Sequence, residues 1–239
     1  MQRNARKTCA QDFLLIVTLL ILASSAYSQE TGGNAELQQK VAAVKQSVAQ
    51  NQQALRQYTW TEKMETIFKG ETKSTKQSQC QYGPDGKVQK TELGSTPPPK
   101  QARGVKGRVI EKKTDEMKDY MVRVASLIKR YVPPEGSQMQ DSFQAGKAAI
   151  QPTGGGIVTL VFGDYAKPGD TVKLTFDTAS KKIRGYDVNT YLDAPADVVT
   201  LKVVFANLPD GTNYVAQTLL DATAKQIQIR TTSTGYTKL

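Results

Sequence analysis

Histidine is missing from the 239 residues of this chain. Its absence removes Ser-His-Asp and Cys-His catalysis, HExxH zinc sites and most other histidine-based metal centres. Cysteine is scarce, with Cys9 and Cys80 alone. Cys9 precedes the apolar run at the N-terminus, so removal of that run would leave Cys80 without a partner for a disulfide or a zinc site within one chain. Such a cysteine is expected either to be buried and inert or to pair between chains. No G-x-S-x-G turn and no acidic calcium loop occurs. Gly154-Gly155-Gly156 is not followed by the Gly-Lys-Ser/Thr of a phosphate loop, and reads as a flexible joint between a helix and a sheet. These gaps predict a non-catalytic protein with no metal site and no cofactor.

Long apolar runs are lacking too. Phe13 to Ala23 is interrupted only by Thr18 and is half of what a membrane-spanning helix needs, about 20 residues. It fits the core of a secretory signal, with Arg3, Arg6 and Lys7 ahead of it. Ala26-Tyr27-Ser28 supplies small residues before a cut ahead of Gln29, with Ala26 a second cut point. An uncleaved anchor is the other reading of this run. The expectation is a cleaved leader over 1–28, a single domain over 29–239 and a periplasmic or extracellular location.

What is present is mostly pattern. In Asn34–Gln57, Leu37, Val41, Val44, Val48, Leu55 and Tyr58 recur at helical spacing, with Asn51 the one polar gap, which predicts an amphipathic helix laid along a sheet. The period then changes. Tyr58–Phe68 alternates, with Tyr58, Trp60, Met64 and Phe68 on one face, so it reads as a half-buried strand. Strands over about Thr72–Tyr82 and Val88–Leu93 follow, separated by the turn Gly83-Pro84-Asp85-Gly86. Thr114-Asp115-Glu116 is a helix start, and Met117, Tyr120, Met121, Val124, Leu127, Ile128 and Tyr131 form its apolar stripe up to Pro133-Pro134. Glu135–Lys147 reads as a weaker helix with Met139 and Phe143 inward. From Ile157 onward the chain is strand and turn, with Phe176, Val203 and Phe205 among the inward positions. The fold class expected is α+β: an N-terminal amphipathic helix, a strongly curved antiparallel sheet of about nine strands and a helical insertion in mid-chain.

Charge is lopsided. Lys and Arg number 32 against 22 Asp and Glu. Lys100, Arg103, Lys106, Arg108, Lys112 and Lys113, offset only by Glu111, fall in one Pro- and Gly-rich stretch read as an exposed loop over 94–113. Such a loop suits an anionic surface or an acidic envelope protein at a few kcal/mol, about 1 kcal/mol per base near an acidic membrane. Without interleaved aromatics it does not suit specific nucleic acid. Glu62, Asp164, Asp187 and Asp193 lie in or near predicted strands, and Glu62 shares a face with Trp60 and Met64. Paired carboxylates would permit glycoside-type hydrolysis only if two of them met across one cleft. Otherwise Glu62 needs a bulge or an edge position to reach water.

In order, these parts resemble the periplasmic lipoprotein-carrier superfamily. The resemblance lies in the opening strand YTWTEKMETIFKGE, the turn YGPDGKV and the closing hairpin VVFANLPDGTNYVAQTLLDATAKQIQIR. It implies a curved sheet around an apolar cavity with helices as its lid. The carriers' lid-tying arginine has no matching position here, so the resemblance assigns no site residue. Alternation and the helical stripe instead nominate Trp60, Met64, Phe68, Met117, Met121, Phe176 and Phe205 to face an apolar or acylated ligand or, by default, one another.

Overall fold

The computed structural model describes residues 50–96 and 105–239, and within these the side chains of residues 105–112, Gln140 and Phe143 fall outside the description. The expected leader and most of the expected first helix therefore lie outside the described residues. No helix among the described residues is long and apolar enough to cross a membrane.

The α+β expectation is overturned. The chain is mainly antiparallel β, 55% strand against 19% helix, with ten strands in place of about nine. They are β1 Tyr58–Phe68, β2 Glu71–Tyr82, β3 Val88–Ser95, β4 Ala148–Gly154, β5 Ile157–Gly163, β6 Thr171–Asp177, β7 Lys182–Tyr191, β8 Val198–Asn207, β9 Asn213–Ala222 and β10 Ile227–Lys238. All belong to one sheet in the order β3-β2-β1-β10-β9-β8-β7-β6-β5-β4, every pair antiparallel. Two meanders, β1–β3 and β4–β10, join where β10 pairs with β1. Strands β3 and β4 are the two free edges.

The additional strand is β4. Its sequence AAIQPTG carries proline and glycine and its residues are almost all exposed, so it lacks the alternation that marks a half-buried strand. As an edge strand it tolerates Pro152, because one side of its ladder has no partner to receive the missing N–H. Gly154-Gly155-Gly156 accordingly closes a β4–β5 hairpin and does not join a helix to the sheet. All three take positive φ (89°, 59° and 77°), which only glycine adopts without strain.

Two helices connect the meanders: α1 Val105–Ile128 and α2 Gly136–Gln144. Helix α1 begins nine residues before the Thr114 start that capping chemistry suggests. The loop expected over 94–113 thus shrinks, since Gly94 and Ser95 end β3 and residue 105 is already helical. Lys and Arg are good helix formers and no proline lies between Pro99 and Pro133, so local propensity permits the extension. The stripe read from spacing is the face that packs on the sheet: Tyr120, Val124, Leu127 and Ile128 join Tyr131, Val172, Tyr186, Val188, Val199 and Leu201 in one buried cluster. Fully burying an aliphatic side chain of this kind contributes roughly 1.5–3 kcal/mol.

Register explains why one face of the sheet is apolar. Leu201 lies opposite Val188 on β7 and Leu220 on β9, all buried, while Lys202 on the other face lies opposite Asp187 and Leu219. Residues 50–55 are helical and rest against the start of β9. There the Asn51 side chain donates to the Asn213 carbonyl at 2.9 Å and accepts from the Asn213 N–H at 2.5 Å. The single polar gap in the N-terminal apolar stripe is thus a two-bond clamp.

Candidate functional site

The buried face of the sheet has two regions. Over β5 to β10, α1 and α2 fill it with their own side chains. At the β1–β2–β10 end, four aromatic rings and a carboxylate surround a small cavity.

The cavity is built by alternation and one bulge. Trp60 and Glu62 are successive inward residues of β1, opposite Cys80 and Ser78 of β2. Across β10 the register slips, since Thr59 faces Thr237 but Thr61 faces Thr234. Gly235 and Tyr236 therefore lie together beside Trp60, and Gly235 takes the left-handed φ of 64° that such a bulge demands. The slip brings the Tyr236 ring over Trp60, 5.5 Å between centroids and 10° from parallel. Tyr82 tilts against Trp60 at 5.5 Å, and Tyr214 against Tyr236 at 4.4 Å. Leu55, Val215, Thr218, Thr231 and Ser233 complete the wall around about 40 Å³. A water needs at least about 10–15 Å³ of such space, so the cavity has room for a few waters and not for an acyl chain.

Two features of this end are chemically unusual. Glu62 is 6% exposed, and Lys90 reaches it from β3 with Nζ 2.5 Å from Oε1. The carboxylate thus keeps its place by pairing, and neither the bulge nor the edge position that alternation left open is needed. The Trp60 indole Nε1 is buried with no acceptor. A buried polar group left unpaired costs about 1–3 kcal/mol, and native interiors contain few of them. Burial pushes Tyr82 up to about 12 and the Cys80 thiol up to about 11, in the latter case with help from the nearby Glu62 charge. Cys80 is fully buried.

The apolar residues nominated from the sequence divide between the two regions. Phe205 belongs to the helix-covered core, and Phe68, Met117, Met121 and Phe176 pack half-buried against it. Trp60 lies in the aromatic group instead, and Met64 is half-buried outside that core. Of the basic residues, Lys100 and Arg103 lie outside the described residues. Lys106, Arg108 and Lys112 are in the backbone of α1, and Lys113 is exposed on the same helix. The four acids do not share one cleft. Glu62 pairs with Lys90, Asp164 with Lys147 and Asp193 with Arg123, on different elements. Asp187 sits on the opposite face of the sheet, between Lys173 and Lys202 in a shallow groove of about 260 Å³. Its carboxyl is raised by desolvation in spite of both lysines. Among the described residues no group of His, Cys, Asp and Glu is arranged to hold a metal ion.

Sequence reasoning missed Tyr82, Tyr214 and Tyr236, which alternation in their own strands does not single out. It also missed a polar knot beneath α1. The buried Asp170 carboxylate accepts from the backbone N–H groups of Tyr165, Ala166 and Lys167 at 2.5, 3.0 and 3.0 Å. It also accepts from the Tyr131 hydroxyl at 2.6 Å. No known family model matches the chain, and no curated protein matches it at a significant level.

Proposed function

We propose that the protein is an exported, non-catalytic binding or carrier protein of the cell envelope for an apolar or acylated ligand, with α1 as the cover of the sheet's apolar face. The observation that carries this reading is how α1 is attached. Its second half is tied by polar bonds: Tyr120 to Asp197 at 2.6 Å, Arg123 to Asp193 at 2.6 Å and, just beyond the helix, Arg130 to the Ala166 carbonyl at 2.8 Å. Met117 and Met121, interleaved with these anchors in the same half of the helix, only pack, half-buried, on the core. Methionine is unbranched and fills irregular apolar space, so this contact can be remade around an inserted chain at small cost. The likeness in element order to lipoprotein carriers supports the same reading by analogy alone.

The test is mass spectrometry of the full chain expressed with its own leader and recovered without detergent. An N-terminus at Gln29 or Tyr27 and one extractable apolar chain per protein are expected. Lipid-free protein that also fails to bind a solvatochromic fatty-acyl probe saturably overturns the carrier reading. Salt-sensitive binding to anionic vesicles by such lipid-free protein would favour the other reading, an envelope interaction protein that uses the bases from Lys100 to Lys113 against an acidic partner or membrane surface.

A further inference from the structure

Within the carrier reading, on which this inference rests, we propose that the cavity between β1, β9 and β10 is the subsite for an uncharged hydrogen-bond acceptor, the ester or amide carbonyl of an acylated ligand. The Trp60 indole N–H is its donor. Indole nitrogen can only donate, so the missing partner is an acceptor and not a cation, even though aromatic walls beside a carboxylate would otherwise suit one. An anion is disfavoured. Glu62 stands in the same wall, and its counter-charge, Lys90, is already engaged at 2.5 Å. What remains is a neutral acceptor. Thr218 and Thr231 line the same space and their hydroxyls can serve its second lone pair, the Ser233 hydroxyl being bonded to Tyr236, while Leu55, Val215 and the ring faces offer apolar contact to the adjoining methylenes.

Access requires movement. In the present packing the indole nitrogen is sealed from solvent, with Tyr236 stacked on the ring, so the carbonyl enters as Tyr236 and Tyr82 part from Trp60.

Trp60 is the only tryptophan in the chain, so its indole ¹⁵N–¹H signal reports this site alone. The full chain is titrated with dodecane and with methyl laurate, each delivered from cyclodextrin. Binding is read by displacement of a solvatochromic probe and the site by the indole signal. Both ligands are expected to bind, the ester about tenfold more tightly, equivalent to about 1.4 kcal/mol. The indole proton should move downfield with the ester only. In Trp60→Phe, which keeps an aromatic ring and loses the donor, the ester should lose its tenfold advantage and bind no more tightly than dodecane does to the same variant. Equal affinities in the wild type, or an indole signal that ignores the ester, overturn the subsite and leave the carrier reading standing. Binding of neither ligand removes both.

Discussion

The Tyr131 hydroxyl donates to the Asp170 carboxylate at 2.6 Å, both groups buried, and shares a 2.8 Å hydrogen bond with Thr190 on β7. One phenol thus joins the chain just after α1 to the β5–β6 turn and to the sheet. Because Tyr186 also donates to the Tyr131 carbonyl at 2.6 Å, both the backbone and the side chain of Tyr131 are anchored. Tyr131→Phe should cost about 1.5–3 kcal/mol, the usual worth of a hydrogen bond to a charged group. Urea unfolding checks it, and a loss below about 0.5 kcal/mol would mean that the three backbone donors alone hold Asp170.

Lys90→Met leaves the Glu62 carboxylate buried without a counter-ion. The expected loss is about 1–3 kcal/mol, less than for a fully buried pair because Lys90 remains a third exposed. Adding Glu62→Gln should restore most of it, since the unpaired charge and not the missing contact is the penalty. A double-mutant cycle with no such recovery would refute the pairing.

Ile128 is 1% exposed and Val122, on a solvent-facing side of α1, is 63% exposed. Ile128→Ala should cost about 2–5 kcal/mol, whereas Val122→Ala should stay within about 0.5 kcal/mol. Similar losses at both positions would mean that the helix docks by another face.

The Tyr58 hydroxyl bonds Asp210 at 2.6 Å, and this bond, followed by the Thr212 backbone N–H, holds the Asp210 carboxyl down at about 2. A folded value below the ordinary one of about 3.9 means that the contribution is complete above about pH 4 and is lost as pH falls through about 2. The stability difference between wild type and Asp210→Asn should therefore be flat from pH 7 to about pH 5 and should shrink toward zero near pH 2. A difference that grows on acidification contradicts the assignment.

Cys80, with its thiol pushed up to about 11, should resist thiol reagents at pH 8 in the folded protein and react at once in urea. Reaction of the folded protein at the rate of a free thiol would place Cys80 at the surface.

Much of the fold was legible in the sequence where a segment has one wet and one dry face. Strand β1 occupies the residues that alternation marks, and the stripe on α1 is the stripe that packs. Strand β4 and the start of α1 were illegible for opposite reasons. One is an edge strand with no dry face to pattern it, and the other is helix made from charged residues that read equally well as solvated loop. The aromatic end was half legible. Trp60 and Glu62 announce themselves by alternation, but Lys90 reaches Glu62 from two strands away, and Tyr236 gets there through a register slip. Pairing between strands distant in sequence carries no local signature. The class error follows from the same limit, because helices were given more weight than their share of the chain.

Among the described residues, the pairing of strand β10 with β1 is the only strand pairing between the β1–β3 meander and the seven-strand meander that begins at β4. The element closest to the C-terminus is thus an interior strand. Until it docks, β1 and β9 both present raw, hydrogen-bond-hungry edges, and a chain shortened by those twelve residues is two sticky sheets in place of one. The β1–β10 pairing joins segments far apart in sequence, the kind of contact that slows folding. Until that pairing forms the chain remains a substrate for chaperones and proteases, and for strand-pairing with its neighbours.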